Sequence, residues 1–131
     1  MRKLFYAMIV TLAAFLGFTS PGSAQSAGSI SNVFAIDTNN QGPAFVAEAQ
    51  KINALAKSMG LPGDQQILLA EIAGVQTNTI YVVIEYASLA KMEAATTKLH
   101  ATQEWQAFIA WMQGAGIDVM SRSVLHNIGG N

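Results

Sequence analysis

The amino-acid sequence predicts an α+β fold in which two strand–helix–strand units follow one another and share a four-stranded antiparallel sheet. Three observations carry this. Thr79 to Tyr86, TIYVVIEY, is dense in β-branched and aromatic residues and reads as a strand. Phe45, Ala49, Ile52, Ala56 and Met59 recur at helical spacing before Gly60 and Pro62. Ser88 to Met112 repeats apolar residues at helical spacing in two segments separated by His100-Ala101-Thr102.

The first 24 residues form a targeting segment rather than part of the fold. Arg2 and Lys3 precede an apolar run, Leu4 to Phe18, then Pro21 and Gly22 as breakers and small residues at Gly22 and Ala24. This series predicts a secretory signal peptide cut after Ala24, and a periplasmic or secreted protein. The run is shorter than the roughly 20 residues a membrane span requires, so no membrane association is expected after cleavage. The mature chain, Gln25 to Asn131, is 107 residues long, one domain by length. It has no Cys, so its stability must come from its core, an interface between copies, or both. Loss of Arg2 and Lys3 leaves five scattered basic residues (Lys51, Lys57, Lys91, Lys98 and Arg122) against eight acidic ones. Nucleic acid and anionic lipid require clustered Lys and Arg, so neither is an expected partner.

Along the mature chain, residues 25–29 read as a flexible leader and 30–131 as the single α+β domain. Ile30 to Thr38 alternates, placing Ile30, Asn32, Phe34 and Ile36 on one face of a strand. Pro43 suits the first turn of the helix that follows. Gln65 to Ala73 reads as the second strand, joined by a short turn over Gly74 to Asn78 to the third, Thr79 to Tyr86. A turn centred near Gln76 pairs Leu69 with Val83 and Glu71 with Tyr81. One face then carries Ile67, Leu69, Glu71, Tyr81, Val83 and Glu85. The other carries Leu68, Ala70, Ile72, Ile80, Val82, Ile84 and Tyr86, and lies under the helices. A one-residue slip would exchange the faces.

Ser88 can cap the next helix, whose stripe is Leu89, Met92, Ala95 (or Thr96) and Leu99. Thr102 can cap a second segment that turns Trp105, Phe108, Ile109 and Met112 inward, with Trp111 to one side. Ile117 to Ile128 is the fourth strand.

The order βαββαβ matches the ferredoxin-like topology, which hosts many functions. Two segments narrow it. TNTIYVVIEYAS resembles the third-strand segment, and HATQEWQAFIAWM the second-helix segment, of the dimeric α/β-barrel superfamily. Its antibiotic-biosynthesis-monooxygenase-like and NIPSNAP-like members are the most similar. The resemblance spans about Ser29 to Ile128. It implies a homodimer of two sheets packed face to face, and a cavity between each sheet and its own helices. The residues agree on one point. Ile67, Leu69, Tyr81 and Val83 would be an exposed apolar patch on a monomer, and a second sheet is the simplest cover. These four are the expected dimer interface.

Candidate chemistry is sparse. His100 and His126 are the only histidines, and no ligand spacing for a metal exists, so no metal site is expected. The haem-degrading branch of the superfamily relies on Asn, Trp and His. Asn32 and Trp105 could fill two of those roles, but no His follows Trp105 along the helix, so no cofactor is expected. Gly-x-Ser-x-Gly and phosphate-cradling glycine patterns are absent. Glu71 and Glu85 would be candidate acids or bases if buried; carboxylates more often sit wet or paired at a strand end. The aromatic group Tyr86, Trp105 and Phe108, with Asn32 and His126 as polar contacts, is the expected ligand site for a small apolar or aromatic molecule.

Two functional classes follow. One is a small-molecule binding or non-catalytic structural protein of the cell envelope, favoured because no catalytic constellation stands out. The other is a cofactor-independent monooxygenase-like enzyme on an aromatic or polyketide-like substrate, positioned by Asn32, Tyr86, Trp105 and His126. A solidly packed sheet–helix interface would favour the first, and a concave pocket with several convergent polar groups the second.

Overall fold

The computed structural model describes residues 28–71, 74 and 78–129. The segment read as a signal peptide, most of the leader, part of the turn after the second strand and the last two residues lie outside them. The elements run β1 (Ile30–Asp37), α1 (Gly42–Ser58), β2 (Asp64–Leu69), β3 (Ile80–Tyr86), α2 (Leu89–His100), α3 (Gln103–Gly114) and β4 (Asp118–His126). The strands form one antiparallel sheet in the order β2-β3-β1-β4. This is the βαββαβ architecture expected, with the second helix in two pieces.

Local chemistry sets the element ends. Pro43 stands in the first turn of α1, where its missing N–H costs nothing. Both α1 and α3 stop on a left-handed glycine: Gly60 at φ 71° and Gly116 at φ 70°. After each glycine the next N–H returns to the helix, Leu61 N to the Ala56 carbonyl at 3.0 Å and Ile117 N to the Met112 carbonyl at 2.9 Å. These bonds satisfy carbonyls that a helix end leaves open. The break between α2 and α3 is spliced by one hydroxyl. Thr102 Oγ1 accepts from Trp105 N at 3.1 Å and donates to the Leu99 carbonyl at 2.7 Å. Ser88 caps α2 by accepting from Lys91 N at 3.2 Å. The loop after β1 is clamped to the far end of α3. Asn39 Nδ2 and Gln41 Nε2 both donate to the Ala115 carbonyl, at 3.0 and 2.8 Å.

One sheet face is covered by the helices. Ile36, Phe45, Ala49, Ile80, Val82, Met112 and Ile117 form the main core, and Ile30, Tyr86, Met92 and Ala95 a second cluster. Phe45, at 2 % exposure, is the largest fully buried side chain among the described residues. Burial of a side chain of this size is worth about 1.5–3 kcal/mol. Leu89, expected in the α2 stripe, is instead exposed.

The β2–β3 register departs from expectation by three residues. Ile67 pairs with Val82, Leu68 with Tyr81 and Leu69 with Ile80. An odd shift moves β2 to the opposite face. Ile67 therefore packs against the helix-side core, and Leu69 shares that side with Ile80. Both leave the expected interface set, and Leu68 enters it. Tyr81 and Val83 keep their place on the open face, beside Val33 and Ala35 of β1. Glu71 lies beyond β2 and is exposed, whereas Glu85 pairs with Asp64 and Ser31 on the open face, so the two carboxylates do not converge.

Candidate ligand cavity between sheet and helices

The helix layer does not fill the space above the sheet. A partly open cavity of about 170 Å³ remains between the β1–β3 face, α1 and the α2–α3 pair. An apolar cavity of about 150 Å³ accommodates benzene, so this one suits a small aromatic body.

The sheet supplies the floor. Asn32, Phe34 and Ile36 of β1 alternate onto the helix side, as do Val82, Ile84 and Tyr86 of β3. Asn32 is 1 % exposed, an amide set among hydrocarbon. A buried amide is costly unless bonded, and its Oδ1 accepts from Arg122 Nε at 2.8 Å. Arg122 comes from β4, opposite Phe34, and its guanidinium lies 5.8 Å from the Phe34 ring centroid. That is a cation–π distance.

Tyr86 closes the end of the floor next to Gly63. At Gly63, with φ 123°, an added Cβ would stand 2.8 Å from the Tyr86 ring and 3.1 Å from Ile84. The absent side chain is what lets the loop before β2 lie on the ring. Burial pushes the Tyr86 phenol above its usual range, partly offset by Arg122, so the hydroxyl is a donor at neutral pH.

The wall is aromatic. Trp105 lies in the first turn of α3 and stacks on His100 at 4.3 Å between centroids and 15° between planes. It tilts against Phe108 at 5.6 Å, and Phe108 continues to Phe45 at 6.1 Å and to Trp111 at 6.2 Å. The helix break makes the His100–Trp105 stack possible, because the Thr102 cap restarts the helix two residues after His100. Partial burial, and then the Arg122 charge, lower the His100 pKa, so the imidazole is neutral at pH 7. Gln65, Asn53 and Thr96 add polar groups around the wall. The Thr96 hydroxyl is occupied by the Met92 carbonyl at 3.0 Å.

Four of the five residues expected at a ligand site, Asn32, Tyr86, Trp105 and Phe108, line this one cavity. His126 does not. It pairs with Ile30, so its parity is that of Asn32, but it stands exposed on the edge strand, where no helix covers it. His100 takes the position on the wall instead. Arg122 was legible only as a scattered base, since its partner Asn32 is 90 residues away. Among the described residues, no group of three His, Cys, Asp or Glu side chains could hold a metal ion.

Comparison with known proteins gives the fold. No protein-family model matches the chain, and no curated protein does. Two crystal structures share its architecture. A NIPSNAP family protein from Agrobacterium tumefaciens str. C58 is 17 % identical with a TM-score of 0.58, over 79 % of this chain and 89 % of that one. An antibiotic-biosynthesis-monooxygenase-like protein from Caulobacter crescentus CB15 is 15 % identical with a TM-score of 0.53, over 80 % of this chain and 92 % of that one. Both carry the names that the sequence segments had suggested, and at these identities the likeness is one of fold.

Proposed function

We propose that this is an exported protein that binds a small apolar or aromatic molecule in the cavity above its sheet and works as a homodimer. The observation that carries the binding reading is the cavity: an apolar floor and an aromatic wall, interrupted by Asn32, Tyr86 and His100. Binding sites of this kind are concave and mostly apolar, with a few polar groups that orient the ligand. The dimer reading rests on the sheet face opposite the helix-side core, where Val33, Ala35, Leu68, Tyr81 and Val83 share one side and Leu68 is exposed. The small Ser31, Ala35, Ser121 and Ser123 between them suit the close approach of a second sheet.

Trp105 tests the cavity. A planar ligand beside it should quench its fluorescence. Trp105→Phe should keep the fold and weaken binding of 2-naphthamide by about three- to tenfold, through lost area and the lost indole N–H. Trp111→Phe is the control, because Trp111 packs on Phe108 outside the cavity. Equal behaviour of the two variants would sink the site.

The convergent polar groups favour a second reading, a cofactor-independent monooxygenase-like enzyme whose substrate supplies the electrons for dioxygen. Substrate-dependent oxygen uptake in the same titrations separates the two: a binding protein consumes none.

Export rests on the Arg2–Ala24 pattern. Intact-mass measurement of the exported protein should give a chain beginning at Gln25, and a mass that retains Met1 would reverse this assignment.

A further inference from the structure

We propose that the ligand of the cavity is an amphipathic acid, an apolar or aromatic body bearing a carboxylate, and that Arg122 receives the carboxylate. This rests on the reading of the cavity as a ligand site.

Among the described residues, the lining has no acidic side chain and no basic one besides His100. A ligand charge therefore meets no opposite charge within the described wall at neutral pH. Arg122 is not part of the lining but touches two residues that are. Its guanidinium is anchored twice, by the Asn32 amide and by the Phe34 ring, and both anchors line the cavity. Neither ion pair among the described residues includes it: those join Lys51 to Glu48 and Lys57 to Asp64. With Nε committed to Asn32, the two terminal nitrogens carry four further N–H donors. That edge matches a carboxylate in a planar, two-point geometry.

The arrangement also explains the buried amide. Asn32 in hydrocarbon gains nothing from packing, but it fixes the direction of the arginine. An arginine held before the ligand arrives loses less side-chain freedom on binding. The field of Arg122 reaches both Tyr86 and His100 on the cavity wall. A negative group brought to Arg122 is thus felt across the site.

The test uses the mature full-length protein and two probes of one shape, 2-naphthoate and its neutral amide 2-naphthamide, titrated by calorimetry. The acid should bind at least about tenfold more tightly than the amide. Arg122→Gln should bring the acid-to-amide affinity ratio to about one; because it also removes the bond to Asn32, the ratio and not either affinity alone is the readout. NMR titration of the imidazoles gives a second readout. The acid should move the His100 pKa upward and the amide should not, with exposed His126 as the internal control. Equal affinities of acid and amide for the wild-type protein would overturn the assignment of Arg122. So would an Arg122→Gln variant that weakens both probes equally, which would mean that the arginine only packs. These outcomes leave the cavity standing if both probes still depend on Trp105. Binding of neither probe would remove the cavity reading and this inference together.

Discussion

Val83→Lys should turn the proposed dimer into a folded monomer. Val83 lies on the open face of β3, flanked by Val33 on β1 and Gln66 on β2. In a monomer the lysine ammonium reaches water and the fold is kept. In a dimer built on this face the charge enters a dry contact, and the two-fold axis brings a second lysine with it. An uncompensated buried charge costs about 3–5 kcal/mol, which weakens association by about two to three and a half powers of ten. Light scattering over a dilution series, with circular dichroism to confirm the fold, reads the result. A wild-type protein that is already monomeric at high concentration would falsify the sheet-to-sheet dimer.

Gly63→Ala should be the most damaging single-atom change in the cavity. The added Cβ would stand 2.8 Å from the Tyr86 ring and 3.1 Å from the Ile84 side chain. Both neighbours belong to or pack on the second core cluster, and Tyr86 is 6 % exposed, so the space open to either is the cavity itself. The backbone at φ 123° is also strained for any residue with a Cβ. Overpacking and backbone strain together should cost about 2–5 kcal/mol. The denaturation midpoint should fall by the corresponding amount. If the chain relieves the clash by swinging Tyr86 into the cavity, stability recovers in part and 2-naphthamide binding is lost. Unchanged stability and unchanged binding together would mean that the loop before β2 does not rest on the ring.

The sequence read most reliably where one local rule settled the matter. The Pro43 start, the Gly60 stop and the Ser88 and Thr102 caps each depend on chemistry within a few residues. The aromatic wall followed, because Trp105, Phe108, Ile109 and Met112 share one face of one short helix. What failed were the non-local pairings. A turn centred near Gln76 and the observed pairing of Leu69 with Ile80 differ by one and a half residues in the turn's midpoint, and that exchanged the faces of β2. The last bonds of the hairpin, Ala70 N to the Thr79 carbonyl and Asn78 N to the Ala70 carbonyl, show where it opens. Asn78 at φ 73° was the available signal, since Asn tolerates that conformation. On β4 a register shift near Val119 leaves Met120 unpaired and sets Arg122 opposite Phe34. No feature of the sequence around Met120 marks it. His126 failed for a different reason: strand parity gives the side of a sheet, and says nothing about how far the helices extend over it.

The same edge strand bears on how the protein survives its own concentration. β4 pairs on one side only, with β1, and all nine of its residues are exposed, Val119, Met120, Val124 and Leu125 among them. Its outer row of N–H and C=O groups is a template onto which any extended chain can add. The irregularity at Met120 and the charges of Asp118 and Arg122 are what discourage this, since a bent and charged edge stacks poorly on a copy of itself. Arg122 therefore stands at the boundary between solubility and aggregation as well as beside Asn32, whose amide it holds. An acid that occupies its guanidinium would remove part of the charge that keeps neighbouring edges apart.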